Sequence, residues 1–130
     1  MDFKIEAGII HSETKIVTQT DTAEHYGSGN LKVFATPAMI ALMELTALKS
    51  VGSLKTDYGL DTVGTEINIK HIKATPLKDE VKCTSTLTEV NGRELVFEIE
   101  AFDSEGKIGF GVHRRFIIDP EKFMSKLNKS

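Results

Sequence analysis

Apolar residues form one continuous stretch and several alternating ones. From Ala38 to Leu45 they follow one another almost without a polar break, and a more amphipathic half continues to about Leu54. Pro37 suits the first turn of a helix, where its missing N–H costs nothing, and Thr36 before it suits an N-cap. A helix that is apolar all round belongs inside a protein. The pattern therefore predicts one long, buried helix over residues 36–54.

The other apolar positions alternate with polar ones, which is typical of β-strands. We predict strands over residues 63–74, 80–90, 94–103 and 107–118, with a hairpin turn at Asn91-Gly92. We also predict one or two further strands over residues 4–20, turning near Ser12-Glu13. Residues 21–31 are predicted to form a surface loop, and Pro120 is predicted to begin a short terminal helix. A sheet of this size needs a cover, and the helix is the one sizeable candidate. We therefore expect an α+β hot-dog fold, an antiparallel sheet wrapped around a long central helix, in a single domain over residues 1–130.

Composition and charge narrow the class of partner. The 130 residues, 40% of them hydrophobic and 27% charged, have the balance of one globular domain. A net charge of −3 gives no basic face for nucleic acid. There is no apolar run long enough for a membrane span or a signal peptide, so we expect a cytoplasmic protein that does not bind membranes. The single cysteine, Cys83, is expected to be buried in a strand, and no spaced cluster predicts a metal site.

Glu44 is the unusual residue of the predicted helix. Its neighbours on the same face are Ile40, Ala41, Ala47 and Leu48, so the face is not a polar stripe. A carboxylate buried there would be costly unless it were hydrogen-bonded, paired, protonated or turned towards a cavity. Glu44 is therefore a candidate catalytic residue.

Two more side chains are candidates for the same chemistry. Alternation places His71 on the helix-facing side of its strand; a lone histidine there is more often a core residue, but one facing a glutamate suits acid–base work. Thr36 is explained as a cap, yet the helix start also offers N–H groups, from Ala38 and Met39, to a carbonyl oxygen that gains charge. Thr36 and Glu44 are about 12 Å apart along the helix, so they flank one substrate or meet across a dimer interface.

Four remaining basic residues are interpreted as surface groups. His25 and His113 have no obvious acidic partner in the sequence and are expected at the surface or at an interface. Arg114 and Arg115 could reach the phosphates of a ligand, but solvent-facing strand charges are the simpler interpretation.

Several of these residues together resemble a known family. Val33-Phe34-Ala35-Thr36-Pro37, Leu42-Met43-Glu44, Gly64-Thr65 and His71 resemble the fluoroacetyl-CoA thioesterase group of the hot-dog superfamily. The resemblance implies hydrolysis of an acyl-CoA thioester by Thr36, Glu44 and His71, with Gly64 and Phe34 contacting the substrate. It also implies homodimers or higher even oligomers with sites at the subunit interface, and coenzyme A as part of the substrate rather than a separate cofactor.

Two details of the resemblance carry further expectations. Gly64 and His71 are an odd number of residues apart, so they face the same side of a strand only if a bulge separates them or Gly64 precedes the regular strand. The segment from Gly27 to Lys32 lacks the aromatic lid of the fluoroacetyl-specific member. We therefore expect a broader or different short-acyl specificity.

Two alternatives to a thioesterase stay open on the sequence. A hot-dog hydratase or dehydratase acting on acyl-CoA would also use an acid–base pair such as Glu44 and His71. A non-catalytic domain that binds acyl-CoA or another metabolite would need neither. Whether Glu44 attacks the carbonyl carbon or activates water is also open.

Overall fold

The fold is a five-stranded antiparallel sheet laid against one long helix. The computed structural model describes residues 2–128. The strands are β1 Ile10–Ile16, β2 Asp61–His71, β3 Glu80–Asn91, β4 Glu94–Asp103 and β5 Gly106–Ile118, and their order in the sheet is β1-β3-β4-β5-β2. A 3-10 turn (Gln19–Asp21) and the helices α1 Ala23–Tyr26, α2 Thr36–Ser50, α3 Ser53–Tyr58 and α4 Pro120–Leu127 complete the chain. The predicted antiparallel sheet and long helix are confirmed.

The core lies between α2 and the middle of the sheet. Three apolar residues on the inward face of α2 are completely buried: Met39, Met43 and Ala47. They meet the alternate residues of β4 that the pattern places on one face, namely Leu95, Phe97, Ile99 and Ala101, all of them buried. Each large apolar side chain buried in this way contributes about 1.5–3 kcal/mol. This packing fixes the position of α2 on the sheet.

Several predicted boundaries are wrong in detail. The helix ends at Ser50, and a break at Val51-Gly52 separates it from α3. Its N-cap is Ala35, so Thr36 is the first helical residue and its side chain makes no capping hydrogen bond. Residues 10–16 form one straight strand without a turn near Ser12-Glu13, and part of the predicted 21–31 loop folds into α1.

The outward face of α2 is left uncovered by its own sheet. The helix packs mainly against β3 and β1, on one side only. Ala41 and Leu45 are exposed, and the Glu44 side chain is 42% exposed. The prediction of a buried Glu44 is therefore wrong for the single chain, because a sheet that covers one side of a helix leaves the opposite stripe open.

Strand β2 forms an edge of the sheet and contains an irregularity that matters for the site. Its pairing with β5 shifts register between Gly64 and Glu66, so Thr65 is the extra residue of a β-bulge. The bulge lets Gly64 before it and His71 after it face the same side, and the first of the two predicted explanations is confirmed. Among the residues described, no helix is long and apolar enough to cross a membrane.

Candidate active site

Thr36 and His71 meet at the start of α2. The Thr36 Oγ1 atom lies 2.8 Å from His71 Nδ1, a hydrogen bond between the first residue of the helix and the last residue of β2. The hydroxyl is free for this contact because it does not cap the helix. Burial lowers the pKa of His71 below its ordinary value of 6.5, against a backbone interaction with Lys73 that raises it. His71 is therefore neutral at pH 7 and able to accept a proton.

A cleft opens beside this pair. It has a volume of about 400 Å³, and its wall includes Phe34, Thr36, His71 and Ile72. Phe34, predicted to contact substrate, is itself only 1% exposed. The buried Nε2 atom of His71 has no hydrogen-bond partner among residues 2–128. The wall of the cleft therefore includes a histidine with one unpaired ring nitrogen.

Glu44 lies in a second group of polar residues, at the middle of α2. A Cβ atom added to Gly64 would lie 2.7 Å from Glu44 Oε2, 3.2 Å from His113 Cε1 and 3.5 Å from Arg115 Nη1. Three functional groups therefore converge on a position where the chain has no side chain. His113 Nε2 is 3.9 Å from Glu44 Oε2, close enough for a weak ion pair if the imidazole were protonated.

The basic residues beside Glu44 are buried, and the interpretation of His113 and Arg115 as surface groups is wrong. His113 is 0% exposed and Arg115 is 6% exposed, whereas Arg114 is partly exposed and pairs with Glu94. The pairing of β4 with β5 explains their burial: Phe97 faces His113, and Leu95 faces Arg115. Because Phe97 and Leu95 are buried on the inner face of the sheet, their cross-strand partners face inward too. His25 is exposed, as predicted.

The structure does not bring Glu44 and His71 together within the chain. Across the described range, neither a hydrogen bond nor an ion pair joins them; His71 contacts Thr36, and Glu44 faces His113. At the helix start, Met39 already donates its N–H to the Ala35 carbonyl, at 2.9 Å. Of the predicted pair of free amides, that leaves Ala38. One chain therefore holds two separate half-sites, one at each end of the Gly64–His71 segment.

The remaining sequence predictions concern Cys83 and metal binding. Cys83 is buried, and burial raises the pKa of its thiol to about 11, so it is not a reactive thiolate. In the part of the chain that the structure covers, there is no group of three side chains able to hold a metal ion.

Five antiparallel strands packed around one long helix form the hot-dog fold, and the similar proteins place the chain in the thioesterase class of that fold. The family model of fluoroacetyl-CoA-specific thioesterases (FlK) matches residues 17–121. The fluoroacetyl-CoA thioesterase of Streptantibioticus cattleyicolor is 36% identical over 98 residues, which are 75% of this chain and 70% of that protein. The chain therefore belongs to the family of fluoroacetyl-CoA-specific thioesterases, and the predicted resemblance and enzyme class are confirmed.

Solved structures agree with this assignment. FlK superimposes with a TM-score of 0.86 at 30% identity over 96% of both chains. A mutant of FlK in complex with fluoroacetate and CoA gives a TM-score of 0.83 at 30% identity, covering 92% of this chain and 99% of that one. A thioesterase superfamily member from Thermus thermophilus, 21% identical with a TM-score of 0.86 over 95% of this chain and 91% of that one, shows the same fold.

Proposed function

We propose that this protein hydrolyses the thioester of a small acyl-CoA, releasing the free acid and CoA. The observation that carries the proposal is the position of Glu44: a half-exposed carboxylate over the gap at Gly64, beside the buried Arg115. The Glu44 side chain is 42% exposed, so a water molecule and a thioester carbonyl can approach the carboxylate from its solvent side. In this proposal the protein needs no separate cofactor, and it works in the cytoplasm on a CoA-linked substrate.

The chemistry assigns one task to each half-site. Glu44 takes a proton from water as the hydroxide attacks the carbonyl carbon, or it attacks that carbon itself and a water molecule then hydrolyses the resulting anhydride. In either route the C–S bond breaks, and the CoA thiolate takes a proton to leave as the thiol. The Thr36 hydroxyl and the Ala38 amide polarise the carbonyl oxygen, and His71, after taking up a proton, delivers it to the leaving sulfur.

For these tasks the two half-sites must face one substrate, and we propose that a homodimer achieves this. The exposed apolar stripe of α2 and the unpaired edge of β2 lie beside Glu44, so a partner subunit can cover both. Thr36 and Glu44 of one chain are about 12 Å apart along the helix. In the proposed dimer, Thr36 and His71 of one subunit therefore act with the Glu44 carboxylate of the other.

Mixing two inactive variants tests the shared site. Glu44→Gln and His71→Ala homodimers are each expected to lose most of their thiol release. After unfolding and refolding together, half of the dimers are mixed, and each mixed dimer has one intact site, so activity returns to about a quarter of the wild-type value. No recovery in a mixture shown to contain mixed dimers would place the whole site in one chain.

A panel of acyl-CoAs tests the reaction itself. Acetyl-, fluoroacetyl-, propionyl- and butyryl-CoA are assayed by release of free thiol, with crotonyl-CoA included to detect water addition without thiol release. We expect Glu44→Gln to lower kcat about 100-fold or more on the preferred substrate. A Glu44→Gln enzyme with wild-type thiol release would overturn the proposed function. Single turnover in ¹⁸O-water tests for attack by Glu44: water that opens the resulting anhydride at the Glu44 carbon leaves the label in this carboxylate, whereas direct attack by water labels only the released acid.

A further inference from the structure

His113 is a buried titratable residue to which the proposed hydrolysis gives no task. It lies on β5 with no exposed surface, and its ring stacks on Phe97 at 6.2 Å between centroids. The Phe97 side chain is part of the core, so His113 cannot rotate freely. A polar ring held in this way has both nitrogens in fixed positions.

The two hydrogen-bond partners of His113 specify its protonation state. Nδ1 lies 2.8 Å from the backbone oxygen of Glu66, which can only accept, so Nδ1 carries the proton. Nε2 lies 3.1 Å from Nη1 of Arg115, which can only donate, so Nε2 is the acceptor. Both contacts require the neutral Nδ1–H tautomer. A second proton on Nε2 would set two donors, and two positive charges, against each other.

The Arg115 guanidinium is held by this contact and by one other residue. Its Nε donates to Thr62 Oγ1 at 2.8 Å, and its Nη2 donates to the Thr62 carbonyl at 3.0 Å. These two bonds fix one edge of the guanidinium, and the bond to His113 fixes the remaining nitrogen, Nη1. That nitrogen is the one that borders the gap at Gly64, where Glu44 Oε2 also lies.

We propose that His113 is a positioning residue: its neutral imidazole fixes Nη1 of Arg115 beside the Glu44 carboxylate. The inference rests on the proposed function, since it assigns His113 to the geometry of the same site. His113 does not touch the reacting atoms. Its contribution is to keep a cation at a constant place next to a carboxylate that must be oriented for attack.

The surroundings of His113 explain why its protonation would disturb the site. The charged groups that face it are Glu44 from α2 and Arg115 from its own strand; Asp61 of β2 acts on Arg115 in turn. With a proton on Nε2, the imidazole would repel Arg115 and attract Glu44, 3.9 Å away. The carboxylate would then be paired with His113 and less available to water. Burial lowers the pKa of His113, which keeps the neutral form at pH 7.

Two substitutions of His113 distinguish a positioning role from a role in packing alone. His113→Phe keeps the ring on Phe97 and removes both hydrogen bonds, whereas His113→Gln retains one acceptor and one N–H donor. We expect His113→Phe to lower kcat about 10- to 100-fold with KM nearly unchanged, and His113→Gln to restore most of that loss. Wild-type kcat in a folded His113→Phe enzyme would overturn the proposal. Equal losses in both variants would also overturn it, because they would show a role in packing alone.

A spectroscopic measurement keeps the proposal testable if a variant fails to fold. Long-range ¹H–¹⁵N NMR of the wild-type protein resolves the ring nitrogens of its four histidines. We expect one histidine in the Nδ1–H tautomer whose pKa lies below 6.5, and its signal is assigned by its loss in His113→Gln. An Nε2–H tautomer or a charged ring at pH 7 would contradict the proposal. The Glu44→Gln assay distinguishes a failure of this proposal from a failure of the proposed function, since it tests thioester hydrolysis with His113 unchanged.

Discussion

At the scale of single residues, Gly64 is the glycine whose missing side chain borders the candidate catalytic carboxylate. Its neighbours across the gap are Glu44 Oε2, His113 Cε1 and Arg115 Nη1, and two of these three groups are buried. Glycine is needed here because a side chain would occupy the space between functional groups, and not because of a turn.

We expect Gly64→Ala to lower kcat/KM at least 10-fold, because its Cβ would lie 2.7 Å from Glu44 Oε2 and displace the carboxylate. Thermal stability should change less, because the Glu44 side chain is 42% exposed and can move outward. Gly109→Ala is the matched control: its Cβ would lie 2.6 Å from the sulfur of buried Met39, so the main loss should be in stability. Thiol-release kinetics and thermal unfolding of both variants check this contrast. Equal activity in Gly64→Ala and in the wild type would refute it.

The neutral histidines predict a particular pH dependence of stability. Burial lowers the pKa values of His71 and His113 below 6.5, so the unfolded chain binds their protons first. The stability that depends on their neutral form is complete above pH 6.5. It is lost as the pH falls from 6.5 through the native pKa values. The carboxylates with lowered pKa values act at lower pH, because the ordinary value is 4.5 for Glu13 and 3.8 for Asp21 and Asp103.

The measurement is the urea midpoint at about pH 7.5 and about pH 5.5. We expect a lower free energy of unfolding at the lower pH, and a smaller difference between the two in His113→Gln. A midpoint that rises on acidification over this range would contradict the assignment of two neutral, buried histidines.

At the scale of elements, the site depends on how the end of β2 is joined to β4. The side chain of Asp103, at the end of β4, is 0% exposed and lies 2.6 Å from Lys73 Nζ and 2.9 Å from Thr75 Oγ1. Burial raises the pKa of Asp103, but hydrogen bonds from Lys73, the Glu105 amide and Thr75 outweigh it and hold the pKa below 3.8. The contacts hold the chain just after His71, where Lys73 lines the cleft.

We expect Asp103→Ala to lower the free energy of unfolding by about 2–3 kcal/mol, because it leaves the buried hydroxyl of Thr75 without its acceptor. Glu100→Ala is the control on the same strand as Asp103, and it removes the exposed partner of Lys107. It should lower the free energy of unfolding by no more than about 0.5 kcal/mol. Urea unfolding compares the two. A cost for Asp103→Ala no greater than that of the control would show that the buried contacts contribute nothing.

At the scale of the whole molecule, the uncovered stripe of α2 predicts association. Leu45 is 39% exposed in the single chain and lies next to Glu44. An exposed apolar stripe of this kind is a typical subunit interface, and here it lies beside the candidate catalytic carboxylate. The edge strand β2 offers unpaired backbone groups on the same side of the site.

We expect Leu45→Arg to convert the dimer to a monomer and to abolish thiol release, because each site would lose its partner half. Leu127→Arg is the matched control, a substitution at a leucine 65% exposed on α4, and should leave both properties unchanged. Sedimentation velocity combined with the thiol assay checks both variants. A Leu45→Arg monomer with full activity would disprove the shared site.

Much of this architecture follows from local pattern. The apolar run after Thr36 predicts the start of the long helix, and the period-2 alternation in residues 80–118 predicts the last three strands to within about one residue. Side-chain chemistry in that frame also selects Thr36, Glu44 and His71 as candidates, and their roles stay a prediction. Periodicity is sufficient here because it reports which face of an element is buried.

The partners of those residues depend on long-range pairing, which local pattern does not contain. The register of β4 on β5 turns His113 and Arg115 inward, and the bulge at Thr65 brings Gly64 to the helix side. The one-sided cover of α2 leaves Glu44 open to solvent instead of buried. Each of these outcomes is set by contacts between segments far apart in the chain. Glu44 therefore faces His113 and not His71, although both histidines are visible in the sequence.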